Sequence, residues 1–146
     1  MRIRRSLWIV SFIFLTLGVM ASAQDTSKEP VKRVPIKPTS AASGQDMYKS
    51  YCAACHGVDG KGNGPASDAL KVPATNLATL AQKNGGKYPA LKVAAVIHGD
   101  DQMAAHGSKD MPIWGSLFWG LSGGHDAEVQ QRIVNLNKYI ESLQIK

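Results

Sequence analysis

The sequence predicts a small, mainly α-helical domain whose helices are joined by loops rich in glycine and proline. Three observations support this fold class. An apolar stripe near the C-terminus follows the helical period, and a shorter segment is bounded by helix start and stop residues. No stretch between them shows the clear alternation of apolar and polar residues that is typical of a half-buried strand. We place this single domain at residues 44–146.

The most clearly predicted helix covers residues 126–143. Its apolar residues are spaced by three or four positions, which places them on one face of a helix. Asp126 at the start suits the positive end of the helix dipole. The residues of this apolar face are Val129, Ile133, Leu136, Ile140 and Leu143.

Three further helices are predicted from shorter patterns. Residues 90–98 follow Pro89 and precede Gly99, which are a typical first-turn residue and a typical terminator. Residues 44–51 and 76–83 carry apolar residues at helical spacing. The remainder is predicted to be loop, so we expect three to five helices in all.

The N-terminal residues 1–23 have the three parts of a secretory signal peptide. A basic start is followed by an uncharged run from Leu7 to Met20 and then by the small residues Ala21, Ser22 and Ala23. The run is shorter than the ~20 residues that span a bilayer, so we expect cleavage. This predicts a periplasmic or other extracytoplasmic location, with a membrane tether if the segment is retained.

Residues 24–43 form a segment rich in proline and lysine that has no helical or strand period. Such a composition predicts a flexible linker. The net charge of +6 for the whole chain includes three arginines of the signal segment, so the remainder is only mildly basic. Because there is also no basic patch interleaved with aromatic residues, nucleic-acid binding is not expected.

The sequence Cys52-Ala53-Ala54-Cys55-His56 is the motif with the most specific chemistry. A C-x-x-C-H run is typical of covalent attachment of a c-type haem. The two thiols lie on one helical turn, where each can add to one vinyl group of the porphyrin, and the following histidine can bind the iron. A haem would also fill the centre of a domain with few core residues.

Other uses of two cysteines are less consistent with the sequence. A disulfide across so short a loop constrains little of the unfolded chain. A thioredoxin-like redox pair needs a βαβ context, and none is visible. A structural zinc site needs four ligands, of which the motif supplies three.

Four motifs in the expected order resemble the class I, or monohaem, bacterial cytochrome c family, and together they cover the whole domain. They are Gly44-x-x-x-Tyr48-x-x-x-Cys52-x-x-Cys55-His56-Gly57, Gly60-x-Gly62-Asn63-Gly64-Pro65, Met111-Pro112-x-Trp114-Gly115 and Leu136-x-x-Tyr139-Ile140-x-x-Leu143. The resemblance implies a mostly helical fold around one haem c, with the first and last helices crossing near the attachment site.

Met111 is the predicted second axial ligand of the iron. It is far from His56 along the chain, Pro112 stiffens the backbone after it, and Trp114 adds a flat surface with one N–H donor. Its place in the third motif implies the same role. His106 is the main competitor, and the other candidates are Met47, Met103, His98 and His125.

The resemblance also implies surroundings for the haem. The backbone carbonyl of Pro65 is expected to accept the second N–H of His56. The candidate donors to the haem propionates are Trp114, Tyr88, Asn76 and Lys109. A partner with an acidic surface would suit the lysines that we expect near the haem edge, which are Lys61, Lys71, Lys83, Lys87 and Lys92.

A histidine and a methionine together fill both axial positions, which favours electron transfer over oxygen or peroxide chemistry. The first hypothesis is therefore a non-enzymatic electron carrier that acts as a monomer on redox partner proteins. The alternative is an electron-transfer subunit docked on a periplasmic dehydrogenase or oxidase complex, with a membrane-bound respiratory complex as a further candidate partner. An exposed apolar patch around Trp114, Phe118, Trp119 and Leu121 would favour that alternative. A haem sensor or peroxidase would need an open or displaceable sixth position.

Overall fold

The computed structural model describes residues 36–100 and 111–145, which belong to one compact unit that starts at Pro35. The predicted signal peptide and residues 24–35 of the predicted linker lie outside the described residues. The elements in chain order are α1 (Gly44–Met47), a π-helical turn (Tyr48–Cys52), α2 (Ala53–His56), two 3₁₀ turns (Ser67–Ala69 and Leu77–Thr79), α3 (Leu80–Lys83), α4 (Ala90–His98), α5 (Trp114–Leu121) and α6 (Asp126–Ser142).

The predicted fold class is confirmed, because residues 36–100 and 111–145 contain helices and loops but no strand. The predicted helices over 44–51, 76–83, 90–98 and 126–143 all correspond to helical segments of the structure. Across the described ranges, no helix has both the length and the apolar character needed to cross a membrane.

The first helical stretch runs without interruption from α1 through the π-helical turn to α2. It begins at Ser43, whose hydroxyl accepts a hydrogen bond from the backbone N–H of Asp46 at 3.1 Å. The π-helical turn ends at Cys52, directly before the Ala53–His56 helix. Such turns are rare and are often found at functional sites. This one connects α1 to α2, and the attachment motif begins at its last residue.

Helix α6 packs across the first helical stretch and supplies much of the core. The rings of Tyr48 and Tyr139 lie with their centroids 5.2 Å apart where the two helices meet. Leu136 is fully buried, as are Met47 and Tyr48 on the opposing helix. The crossing of the first and last helices that the resemblance implied is therefore present.

Helix α5 was not predicted, since the sequence after Met111 was expected to be loop. The apolar positions 114, 117, 118 and 121 of this segment are spaced as in a helix, but the segment is short and contains two glycines, which lower helix propensity. Tertiary packing forms the helix: Trp114 and Phe118 are buried against the core and each lies within 6.0 Å of the Tyr51 ring.

The end of the predicted linker is folded against the domain. Arg132 is buried in α6 and donates from Nη1 to the carbonyl oxygen of Thr39 at 2.8 Å. The amide of Asn135 donates to the carbonyl oxygen of Ala41 at 2.9 Å. The structure thus differs from the predicted boundary at residue 44, because residues 37–43 already make domain contacts.

Candidate functional site

A cavity of about 320 Å³ lies in the described domain, and this volume is in the range of small-molecule and cofactor sites. It is bounded by the end of the first helical stretch, the loop at 70–75, helix α4 and the segment at 111–114. Its walls are mostly apolar. The aliphatic and proline residues that line it are Leu70, Val72, Pro73, Ala74, Leu77, Leu80, Pro89, Val93, Val96, Ile97 and Pro112.

The predicted attachment residues Cys52, Cys55 and His56 all line this cavity. Both cysteines are free thiols, which rules out a disulfide between them in this structure. Burial, followed by the nearby Cys55, raises the pKa of the Cys52 thiol to about 12. A reactive redox cysteine has a lowered pKa, so this environment does not suit a thioredoxin-like pair.

The zinc alternative also lacks support in the described residues. No group of three or more histidine, cysteine, aspartate or glutamate side chains within 36–100 and 111–145 is placed to hold a metal ion. The cavity walls that are described contain no carboxylate side chain either. The attachment motif therefore faces an apolar space rather than a set of further metal ligands.

The orientation of His56 is set by a loop that follows it in sequence. Its Nδ1 lies 2.9 Å from the carbonyl oxygen of Thr75, which accepts the hydrogen bond when Nδ1 carries the proton. Nε2 is then the ring nitrogen that would bind the iron. In this structure the acceptor is therefore Thr75 and not Pro65 as expected; Pro65 is exposed and is not among the described residues that line the cavity.

The physical reason is the path of the loop between these residues. The N–H of Gly62 donates to the carbonyl of His56 at 2.8 Å, and that of Ala66 donates to Ala54 at 2.8 Å. These bonds hold the glycine-rich loop against the end of α2. The segment that reaches the ring of His56 is therefore one that follows this loop, at Thr75. Gly62 has a φ of +84°, and a Cβ atom at this position would overlap the carbonyl oxygen of Ala74.

Tyr48 supports the backbone at the same helix end. Its hydroxyl donates to the carbonyl oxygen of Gly57, the residue after His56, at 2.8 Å in a buried position. Burial and the neighbouring Cys52 raise the pKa of the Tyr48 hydroxyl above its ordinary value, so it stays protonated and remains a donor. No sequence pattern indicates this bond directly, because it joins a helix to the loop beyond the motif.

Met111 and Trp114 also line the cavity, together with the three motif residues. Trp114 begins α5 and stacks on Tyr51 with ring centroids 5.2 Å apart. Gly115 allows α5 to lie against the end of α4, because a Cβ atom on it would overlap the carbonyl oxygen of His98. This close approach fixes the segment that carries Met111.

Of the competing axial ligands, those within the described residues do not line the cavity. Met103 and His106 lie outside the described residues. Met47 is fully buried in the core, as predicted. His98 bonds Asp100 through Nδ1 at 2.7 Å, and His125 is the exposed N-cap residue of α6; neither lines the cavity.

The predicted donors to the propionates are mostly engaged elsewhere. The Tyr88 hydroxyl donates to Oδ1 of Asn137 at 2.6 Å, and the Asn76 side chain caps the turn at Leu77–Thr79. Lys109 lies outside the described residues, and of the other three candidates Trp114 is the one that lines the cavity. Among the lysines predicted near the haem edge, Lys83 and Lys92 line the cavity and the other three do not.

The residues at the cavity fit a covalently bound haem. The apolar walls suit a flat porphyrin, the two thiols suit its vinyl groups, and His56 and Met111 offer a nitrogen and a thioether for the iron. The segment that carries Met111 is remote in sequence from the motif, and the fold brings both to one cavity.

One family matches the chain, and its description is cytochrome c oxidase, cbb3-type, subunit III. The match covers residues 39–119, more than half of the chain, and includes the attachment motif, the loop after it and helix α4. No curated protein and no solved structure matches the chain. The chain therefore belongs to this cytochrome c family and is a c-type cytochrome with covalently bound haem c that takes part in electron transfer.

Proposed function

We propose that the chain transfers single electrons outside the cytoplasm through one haem, attached by Cys52 and Cys55 and bound axially by His56 and Met111. The observation that carries this proposal is the apolar cavity that these four residues line together. The predicted signal peptide at residues 1–23 supports the extracytoplasmic location. The bound haem would supply an iron that takes up and releases one electron at a time.

The protein side chains hold the two axial positions in different ways. The Thr75 carbonyl accepts from Nδ1 of His56, which orients the ring and makes Nε2 a better electron donor. Met111 offers a soft thioether, which favours the reduced iron and raises the reduction potential compared with a second histidine. With both positions filled, no site is left for a substrate.

The walls of the cavity support the same role. Aliphatic side chains of α4 and of the loop at 70–75 exclude water from the bound group. A lower dielectric around the iron disfavours extra charge on it, and this is one of the means by which proteins tune the reduction potential. Trp114, stacked on Tyr51, closes the side of the cavity next to Met111.

The absorption spectrum and redox titration of the mature protein test this function. We expect the spectrum of a low-spin, six-coordinate haem and a single one-electron transition. Haem should remain with the polypeptide after acid extraction, and Cys52→Ser with Cys55→Ser should abolish this attachment. Haem that is still covalently held in the double variant would refute the attachment site, and an open-site spectrum in the wild type would favour a sensor or peroxidase.

A second candidate function is an electron-transfer subunit of a membrane-bound respiratory complex, as the family description suggests. One structural observation favours it: α5 carries no charged residue, and Trp119 and the preceding Ile113 are 48% and 50% exposed. Exposed apolar residues of this size are typical of interaction surfaces when they form a patch. Native electrophoresis of membranes from the source cells, stained for covalent haem, separates the two roles: a subunit migrates with an oxidase or dehydrogenase activity and a carrier migrates alone.

A further inference from the structure

Two lysines and one asparagine form the polar rim of the cavity, which is otherwise largely apolar. Lys83, Asn84 and Lys92 line it and are exposed at its solvent side. The described walls contain no aspartate or glutamate. Apart from the histidine of the motif, the ionisable nitrogen groups at the cavity are therefore the two lysine ammonium groups, and their charge would attract an anion.

The backbone between the two lysines is held in place by local hydrogen bonds. Lys83 ends α3, and Lys92 lies in the first turn of α4. In the connecting turn, Nδ2 of Asn84 donates to the carbonyl of Lys87 at 2.7 Å, and the N–H of Gly86 donates to Ala81 at 2.8 Å. Both lysines are thus presented at one side of the cavity by a structured turn.

Neither lysine is paired with an acidic side chain in the described part of the domain. Lys61 pairs with Asp59 at 3.0 Å, but Lys83 and Lys92 form no ion pair with any residue in 36–100 or 111–145. The Asn84 amide, in contrast, already donates to Lys87. The positive charges of the rim are therefore unneutralised by the described part of the protein, beside a cavity that suits a haem.

We propose that Lys83 and Lys92 bind the two propionate carboxylates of the haem, in addition to Trp114 among the predicted donors. The inference rests on the haem attachment proposed above. Carboxylates next to apolar walls are poorly solvated, and a charge-assisted N–H···O bond from an ammonium group offsets that loss. The two positive charges also favour the reduced iron, because reduction removes one positive charge from the haem.

Holoprotein variants test this proposal, with the haem kept covalently attached. Lys83→Gln, Lys92→Gln and the double variant remove the charges. The double variant Lys83→Arg with Lys92→Arg retains them. Lys87→Gln is the matched control, because Lys87 lies in the same turn but does not line the cavity. The readouts are the propionate bending band in the resonance Raman spectrum and the reduction potential at low and high ionic strength.

We expect the double glutamine variant to shift the propionate band and to lower the reduction potential, and the arginine variant to restore both toward the wild type. The lower potential should persist at high ionic strength, where the effect of Lys87→Gln is screened out. A double glutamine variant with the wild-type band and a potential equal to that of Lys87→Gln would overturn the proposal, and would leave the lysines as surface groups for a partner. Failure of the proposed function is read separately, as absence of covalent haem in the wild type.

Discussion

The Nδ1 atom of His56 lies 2.9 Å from the carbonyl oxygen of Thr75, so the loop beyond Pro65 holds the ring of the predicted iron ligand. This contact depends on how closely the two loop segments at 57–66 and 70–75 approach each other. The two segments come close together at Gly62, whose missing side chain leaves room for the carbonyl of Ala74, next to Thr75.

Gly62→Ala is expected to disturb this contact and Gly85→Ala is not. Both glycines have positive φ angles, so both variants pay the ~1–2 kcal/mol of a left-handed conformation. Only the Cβ at 62 meets another backbone segment, whereas nothing lies within 4 Å of a Cβ at 85. Chemical denaturation should therefore show a larger loss of unfolding free energy for Gly62→Ala, with a changed reduction potential; equal losses would contradict this account.

Met111→Ala is expected to leave the haem attached and to open the sixth position of the iron. The cavity wall loses the thioether that lines it while the attachment motif is unchanged. Absorption spectra should then show a high-spin form, or a form that binds carbon monoxide. Met111→His serves as the control, since it keeps six-coordinate iron but lowers the reduction potential. A wild-type spectrum in Met111→Ala would show that another residue is the ligand.

Gly115→Ala should displace the segment that carries Met111. The added Cβ would overlap the carbonyl oxygen of His98, which ends α4. Gly120→Ala lies in the same helix with nothing within 4 Å, so it should be neutral or stabilise α5 by up to about 1 kcal/mol. We expect a lower melting temperature and partial loss of the low-spin spectrum for Gly115→Ala only. Identical behaviour of the two variants would mean that the α4–α5 contact does not position Met111.

Tyr48→Phe should destabilise the domain without affecting haem attachment. It leaves the buried carbonyl of Gly57 without its 2.8 Å hydrogen bond, at a cost of about 1–3 kcal/mol. Tyr139→Phe is the matched control: this ring packs on Tyr48, but its hydroxyl forms no hydrogen bond to a described residue. Denaturant titration of both holoproteins gives the comparison, and a Tyr139→Phe loss as large as that of Tyr48→Phe would argue against the assigned bond.

Arg132→Lys should release the N-terminal end of the domain. The guanidinium donates to Thr39, to Ser122 at 3.1 Å and to Glu128 at 2.7 Å, and a single ammonium group cannot reach all three. We expect a loss of about 1–3 kcal/mol and faster hydrogen exchange of the backbone amides in residues 39–43. Gln131→Ala, at an exposed position of the same helix, should leave this exchange rate unchanged. Equal protection of these amides in Arg132→Lys would show that the arginine does not hold this segment.

Local patterns were sufficient to predict the helices that have caps or an apolar stripe. Helix α4 lies between Pro89 and Gly99, and α6 follows the stripe from Val129 to Ile140. Helix α5 was missed although its apolar positions 114, 117, 118 and 121 have helical spacing, because the sequence around Met111 and Pro112 was interpreted as a loop. The segment is short and contains two glycines, and packing on Tyr51 stabilises it as a helix.

The site shows the same division between local and tertiary information. The residues of the attachment motif and Met111 could be proposed from their chemistry and spacing, and the fold brings them to one cavity. The acceptor of His56 could not be predicted, because any carbonyl of the following loop satisfies the same requirement and only the path of the chain selects Thr75. Likewise, lysine spacing alone does not distinguish Lys83 and Lys92 at the rim from Lys87 in the turn between them.

The burial of Cys52 has a consequence for the order in which this protein matures. Only 8% of the residue is exposed, and burial raises the pKa of its free thiol, so an unattached Cys52 in the folded chain would be a protonated and poorly accessible thiol. A bond to that sulfur is formed more readily while the chain is still open and the thiol can be reached. We therefore expect covalent attachment to come before the final packing of α6 on the first helical stretch, so that the cofactor acts as a template for folding rather than a late addition.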